Sequence, residues 1–115
     1  MYYFYIIISA TGRIGFGIAQ DIKERNKQYC SHAGSIVNMV VYGGLRTNAK
    51  VLERTIKTQY ADNIWQIEDW KTEWLNDNVS LETFKEYVDD LISERHYKLK
   101  FITENYNFLE DLPTT

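Results

Sequence analysis

The sequence has one cysteine, no long apolar run and none of the common catalytic motifs, and each absence excludes a class of protein. A lone Cys30 excludes an internal disulfide and a cysteine-based zinc cluster, and it is typical of a reducing compartment. The apolar run at Ile6–Ile8 is far too short to span a membrane, and no basic segment precedes it. We therefore expect a cytoplasmic protein, of a cell or of a virus inside its host, with no membrane contact.

Several familiar enzyme motifs are missing as well. The chain contains no Walker-type phosphate loop, no His-Glu-x-x-His helix, no Ser/His/Asp set and no internal repeat. What is present is the composition of an ordered globular protein, with 44% hydrophobic and 15% aromatic residues, including nine Tyr and three Trp. A length of 115 residues predicts one domain with a modest core.

Charge is unevenly distributed along the chain. The formal net charge is −3, but residues 1–60 hold eight Lys or Arg against three acids, whereas residues 61–115 hold five against thirteen. The basic half attracts phosphates and the acidic half repels them, so nucleic acid is expected to meet the first sixty residues. The alternative is two solvated surfaces whose charge differs by chance.

The N-terminal stretch predicts a β-hairpin. Tyr2–Ser9 is aromatic and β-branched, Ala10–Gly12 interrupts the run, and Arg13–Ile18 resumes it. In this second strand Gly15 and Gly17 fall on one face and leave it bare. Because glycine weakens a strand, the pattern indicates close approach of another backbone or a ligand, or else a β-bulge or a helix packed flat on the sheet.

A helix is expected directly after the hairpin. Asp21 is a suitable N-cap, and the helix should run from there to about Tyr29. Lys23, Arg25 and Lys27 surround its first two turns, where cations oppose the helix dipole. A helix that tolerates such charge is often presenting it to an anion.

The rest of the chain predicts one more strand and further helices. Apolar periodicity, caps and glycine stops indicate each of them. The strand completes a three-stranded sheet with the hairpin. In chain order, we expect a strand over Ile36–Tyr42 and then a helix over Ala49–Tyr60. Thr47 or Asn48 is expected to cap this helix, and Val51, Leu52 and Ile56 to face inward. A loop should follow over Ala61–Trp70, then a helix over Leu81–His96 begun by Ser80, and a helical continuation over Leu99–Tyr106.

The order of these motifs resembles the GIY-YIG nuclease superfamily, and within it the small phage and bacterial branch called T5orf172 or MUG113. Tyr3-Phe4-Tyr5 represents the first motif, Gly15-Phe16-Gly17 the second, and Arg25 the arginine of the following helix. Glu53 stands where the superfamily has its metal-binding glutamate, and Lys71–Leu75 is similar to the block that ends this branch's domain.

The resemblance also implies an architecture. It covers residues 1–92, which are expected to form the nuclease-like domain, and residues 93–115 should be a helical extension and acidic tail of the same domain. The implied fold is α+β: a small, three-stranded, mainly antiparallel sheet flanked by helices, with an added C-terminal helix. That helix is expected to pack on a second copy or on a protein partner.

The function implied by the resemblance is that of a small metal-dependent DNA endonuclease of phage or mobile-element origin, which hydrolyses phosphodiester bonds. Arg25 is implied to offset charge on the transition state, and Glu53 to hold one Mg²⁺ or Mn²⁺. Double-stranded DNA is expected at the basic N-terminal half. The residues expected to bind it are Lys23, Lys27, Arg46 and Lys50.

The sequence does not decide which residue activates the attacking water. Tyr3 and Tyr5 share a strand face, so periodicity does not decide which of them points into the site. A phenol is a poor base at neutral pH unless a cation lowers its pKa, and Arg25 is the expected cation.

Gly15 stands where the superfamily has a second tyrosine, so Tyr29 or His32 is expected to share the proton transfer. Tyr29 lies one turn from Arg25 on the same helix face. It is expected either to lie close to the scissile phosphate or to be a half-buried aromatic residue of the helix. His32 follows in a loop, where the alternative is a solvated side chain. Because of Gly15, the alternative function is a catalytically inactive GIY-YIG-like module that binds nucleic acid or a protein.

Glu53 also has an alternative interpretation. It lies beside the apolar stripe of its helix, one turn before Lys57. An acid and a base four residues apart form an ion pair that is common on exposed helices and marginally stabilising.

Overall fold

The computed structural model describes residues 1–9, 12–25, 36–67, 70–75, 78–95 and 97–103. Residues 22–25 form a helical turn, and none of the helices within these ranges has the length and apolar character needed to cross a membrane. The other elements are β1 (Tyr2–Ser9), β2 (Ile14–Ala19), β3 (Ile36–Gly44), α1 (Arg46–Gln59), a 3₁₀ helix (Ala61–Asn63), β4 (Ile64–Ile67), β5 (Trp70–Leu75), α2 (Leu81–Glu94) and β6 (Leu99–Thr103).

The strands form one antiparallel sheet in which β1 is flanked by β2 and β3. The strand order is β4-β5-β2-β1-β3-β6, and each pair of neighbours is antiparallel. The predicted α+β class and the antiparallel trio β2-β1-β3 are therefore confirmed. The sheet has six strands instead of the predicted three, because β5 and β4 extend it beyond β2 and β6 extends it beyond β3.

The predicted hairpin is confirmed, and its strands pair without a register shift from Tyr3 opposite Ala19 to Ile8 opposite Ile14. The connection between them includes Gly12, whose φ of 84° lies in the left-handed region that glycine enters without steric cost. Tight connections between antiparallel strands use this region.

Alternation along β1 divides its side chains between two cores. Phe4 and Ile6 point to the face that α1 and α2 cover, which we call the helix-covered face; Tyr3, Tyr5 and Ile7 point to the opposite one, the tyrosine face. The helix-covered core also contains Ile14, Phe16, Val40, Tyr42, Ala49, Leu52, Ile56, Leu75, Phe84, Val88, Leu91 and Leu99. The tyrosine-face core adds Ala19, Ile22, Met39 and Val41, with Trp74 and Ile102 packed against it.

The segment after α2 is a strand, so the predicted helical continuation is wrong there. Leu99–Thr103 pairs with β3, and Leu99 is buried in the helix-covered core while Lys100 is exposed. The open edge of β3 offers backbone hydrogen-bond partners that a local helical pattern does not reveal. The partner surface expected on a C-terminal helix is therefore not helical at these residues, and the tail from residue 104 onward lies outside the described residues.

The predicted loop over Ala61–Trp70 contains a strand. β4 pairs with β5, and β5 pairs with β2 where Trp74 lies opposite Gly15. β4 has four residues, too few for an alternating pattern to separate it from a loop.

Helix α1 begins three residues before its predicted start. Its N-cap is Leu45, which makes no side-chain cap bond, so the expected caps Thr47 and Asn48 are wrong. The Ala49 backbone N–H donates to the Leu45 carbonyl at 3.1 Å. Because Leu45 alone separates α1 from β3, the end of the strand sets the start of the helix.

Helix α2 lies close to its predicted bounds and ends at Glu94, two residues before His96. Ser80 caps it as expected, since its Oγ accepts a hydrogen bond from the Thr83 backbone N–H at 3.2 Å. The buried side of this helix carries Phe84, Val88 and Leu91.

Candidate nucleic-acid interface

Side chains of Tyr5, Ile7 and Trp74 fill the bare strand face left by the two glycines of β2. Tyr5 is 1% exposed and pairs across the sheet with Gly17, where an added Cβ would lie 2.5 Å from the Tyr5 Oη. A Cβ at Gly15 would lie 3.0 Å from Ile7 and 3.2 Å from Trp74. The groups that approach the glycines closely are therefore side chains of this chain.

Tyr3 lies on the same face, opposite Gly43, and is likewise buried. Burial and, to a smaller extent, the Asp21 carboxylate raise the pKa of the Tyr3 phenol above its ordinary value of 10.0. The expected lowering by Arg25 is therefore wrong for Tyr3, because desolvation and a nearby negative charge both disfavour the phenolate. A phenol held neutral in this way is a poor general base at neutral pH.

The helical turn at residues 22–25 covers part of the tyrosine face, since Ile22 is buried there. Asp21 caps the turn as predicted: its Oδ1 accepts from the Glu24 backbone N–H at 3.0 Å, and its backbone carbonyl accepts from the Arg25 backbone N–H at 3.1 Å. Lys23 and Arg25, both half-buried, therefore lie on the tyrosine side of the sheet. Three predicted site residues lie outside the described residues: Lys27, Tyr29 and His32.

Glu53 lies on α1, which packs on the helix-covered face through residues such as Leu52. Its Oε1 is 3.7 Å from the Lys57 Nζ, so the ion pair considered as the alternative interpretation is present. The sheet separates this helix from Tyr3 and Tyr5, which point to the other face. The residues that the resemblance would unite thus belong to two sides of the sheet.

The described residues do not assemble a metal centre around Glu53. Within the described ranges, no group of three or more His, Cys, Asp or Glu side chains could hold a metal ion. The Lys57 ammonium beside Glu53 also competes with any divalent cation for that carboxylate. Mg²⁺ or Mn²⁺ at Glu53 stays a prediction.

A row of cations runs along the exposed side of α1. Arg46, Lys50, Arg54 and Lys57 are all exposed, and their spacings of four, four and three residues place them on one side of the helix. At 1.5 Å per residue the row is about 16 Å long. The Arg46 guanidinium carbon lies 5.6 Å from the centre of the Tyr2 ring, a cation–π contact. We call these four residues the basic row.

The basic row contains only some of the predicted phosphate contacts. Arg46 and Lys50 belong to it, whereas Lys23 lies on the tyrosine side of the sheet. Arg54 and Lys57 were not predicted among the phosphate contacts, although their spacing from Lys50 indicates the same helix face.

Helix α2, on the same face of the sheet as α1, carries the opposite charge. All five of its acids are exposed, and one of them, Asp89, accepts a hydrogen bond from the Tyr42 hydroxyl at 2.6 Å. The charge asymmetry of the sequence is therefore arranged in space as a basic helix and an acidic helix. The acids are Glu82, Glu86, Asp89, Asp90 and Glu94.

Comparison with known proteins gives no match: no family model fits the chain, and no curated protein or solved structure is significantly similar to it. The GIY-YIG resemblance therefore stays a prediction that rests on the order of the motifs.

Proposed function

We propose that the protein binds double-stranded DNA and that the basic row of α1 contacts the phosphates. The observation that carries this proposal is the alignment of four exposed cations on a helix that buried residues fix to the sheet. Such a row suits the regularly spaced charges of a duplex, whose neutralisation releases counterions and drives binding. This function corresponds to the non-cleaving GIY-YIG-like module.

The charge of α2 orients the duplex in this proposal. Its exposed acids repel phosphates, so the DNA lies along the outward side of α1 and away from α2. Arg46, held against the Tyr2 ring, fixes one end of the contact. At the other end of the basic row, Lys57 contacts phosphate, and its Nζ lies 3.7 Å from the Glu53 Oε1.

Charge reversal tests the proposal. The triple variant Arg46→Glu/Lys50→Glu/Arg54→Glu should weaken binding of a labelled duplex at low salt by roughly 100-fold, because each reversal replaces an attraction by a repulsion. Fluorescence anisotropy gives the affinity, and thermal unfolding shows whether the variant folds.

The matched control changes the net charge equally at exposed cations outside α1. The variant Arg95→Glu/Lys98→Glu/Lys100→Glu should bind within roughly threefold of the wild type, since none of its cations belongs to the basic row. Equal weakening by both triple variants would show that net charge alone governs binding and would contradict a role for α1.

A second candidate is the metal-dependent DNA endonuclease that the resemblance implies. The placement of Tyr3, Tyr5 and the turn carrying Arg25 on one side of the sheet favours it. In this proposal Arg25 offsets charge on the transition state. Tyr3 and Tyr5 are both buried, so burial does not choose between them as the proton-handling residue.

Nicking of supercoiled plasmid with Mg²⁺ or Mn²⁺ tests the second candidate. Arg25→Ala should lower the nicking rate by roughly two to three orders of magnitude with little change in DNA affinity. Glu53→Ala tests the metal ligand that the resemblance implies: it should abolish nicking if Glu53 holds the ion, and leave nicking unchanged if the sheet keeps Glu53 out of the site. Glu82→Ala, which changes an exposed acid of α2, is the control and should cut normally. A wild type that binds DNA without cutting it would exclude the endonuclease and leave the first proposal.

A further inference from the structure

The outward side of α1 also carries a row of uncharged side chains. Thr47, Val51 and Thr58 are exposed, and spacings of four and seven residues place them in a line beside the basic row. Val51 was expected to face inward but is 44% exposed. We call these three residues the neutral row.

Val51, in the middle of the neutral row, presents methyl groups to solvent. The Thr58 hydroxyl donates to the Arg54 carbonyl at 3.0 Å, so its proton is used within the helix, and Val51 offers only methyl groups. β-branched side chains lose rotamer freedom in a helix, so the neutral row is not explained by helix propensity. The result is an uncharged row, with an exposed apolar side chain at Val51, immediately beside exposed cations.

We propose, on the basis of the DNA-binding function above, that the neutral row packs against thymine methyl groups in the major groove while the basic row contacts the phosphates. A helix with its side chains is about 10–12 Å in diameter, which fits a groove about 12 Å wide. Each A·T pair exposes the thymine methyl in that groove, where small apolar side chains contact it. The phosphate contacts position α1, and the methyl contacts select the sequence.

The same features distinguish DNA from other nucleic acids. Uracil lacks the methyl group, and the major groove of A-form RNA is too deep and narrow for side chains to read. Single-stranded partners are commonly held by stacking on aromatic side chains, and none of the fourteen residues of α1 is aromatic. Duplex DNA rich in A·T pairs is therefore the partner that this surface fits.

Two short DNA duplexes of the same alternating sequence test the inference. One contains thymine and the other contains uracil in its place, so they differ only in the methyl groups. The wild type should bind the thymine duplex roughly three- to tenfold more tightly, the scale expected for burying one or two methyl groups. Val51→Ala should bring the ratio of the two affinities towards one. Lys50→Ala should weaken both affinities equally and preserve the ratio.

The outcomes separate this inference from the function on which it rests. Equal affinity of the wild type for both duplexes would overturn the methyl contact and leave DNA binding intact. Equal or tighter binding of an A·U RNA duplex would assign the surface to RNA and overturn the inference. Failure to bind these duplexes and a G·C duplex at low salt would overturn the DNA-binding function itself.

Discussion

The Tyr5 phenol lies directly over Gly17, its partner on the neighbouring strand. A Cβ at position 17 would be 2.5 Å from the Tyr5 Oη and 2.9 Å from its Cζ. Tyr5 is buried, so its ring has no solvent-filled space into which it could turn. Glycine at position 17 is therefore required by the Tyr5 side chain opposite it.

Gly17→Ala should lower the free energy of unfolding by about 1–3 kcal/mol, the usual result of overpacking a core. Urea denaturation followed by circular dichroism gives this value. Tyr5→Phe removes the nearest atom and should relieve part of the loss in the double variant. Gly12→Ala is the control: its strain comes from a positive φ in open space, so it should show no coupling with Tyr5→Phe. Additive effects of Gly17→Ala and Tyr5→Phe would contradict the contact.

The raised pKa of Tyr3 should make stability fall at high pH. Because the folded-state pKa lies above the ordinary value of 10.0, the protonated phenol's contribution is complete below that pH and is lost as the pH rises through the folded-state pKa. Burial also raises the pKa values of Tyr60 and Tyr87, so Tyr3→Phe should reduce the fall without abolishing it.

Phenolate absorbance identifies the Tyr3 titration by difference between the wild type and Tyr3→Phe. Asp21→Asn keeps a capping oxygen but removes the charge, so it should move the Tyr3 pKa down towards its ordinary value. A Tyr3 phenol that ionises below pH 10.0 would contradict the burial of this side chain.

The Tyr42–Asp89 hydrogen bond should stabilise the packing of α2 on the sheet. Its 2.6 Å length and charged acceptor indicate a contribution of about 1–2 kcal/mol, which Tyr42→Phe should remove. Asp89→Ala should have a similar effect, and the double variant should lose little more. Asp90→Ala, at the neighbouring exposed acid, is the control and should change stability by no more than about 0.5 kcal/mol.

Local signals predicted the elements that depend on local chemistry. The aromatic and β-branched run of β1, the Asp21 cap and the Ser80 cap were all readable in the sequence and are present in the structure. β4, β5 and β6 were missed because short strands depend on sheet edges supplied by distant segments. The start of α1 was misplaced because β3 sets it, without a capping side chain.

The candidate site was only partly predictable for a related reason. Arg46 and Lys50 could be placed on a basic surface from charge alone, and the structure puts them on one side of α1. Which face of the sheet α1 covers depends on long-range packing, so motif order did not reveal that the sheet separates Glu53 from Tyr5. Motif order specifies the sequence of elements, whereas packing decides which side chains meet.

The salt dependence of duplex binding tests most directly whether the basic row binds phosphates. Four phosphate contacts predict a slope of about −3.6 for the logarithm of the binding constant against the logarithm of the salt concentration. Lys50→Ala should bring the slope closer to zero by about 0.9, because one fewer phosphate is neutralised. A wild-type slope near zero, or a slope that Lys50→Ala leaves unchanged, would contradict DNA binding by α1.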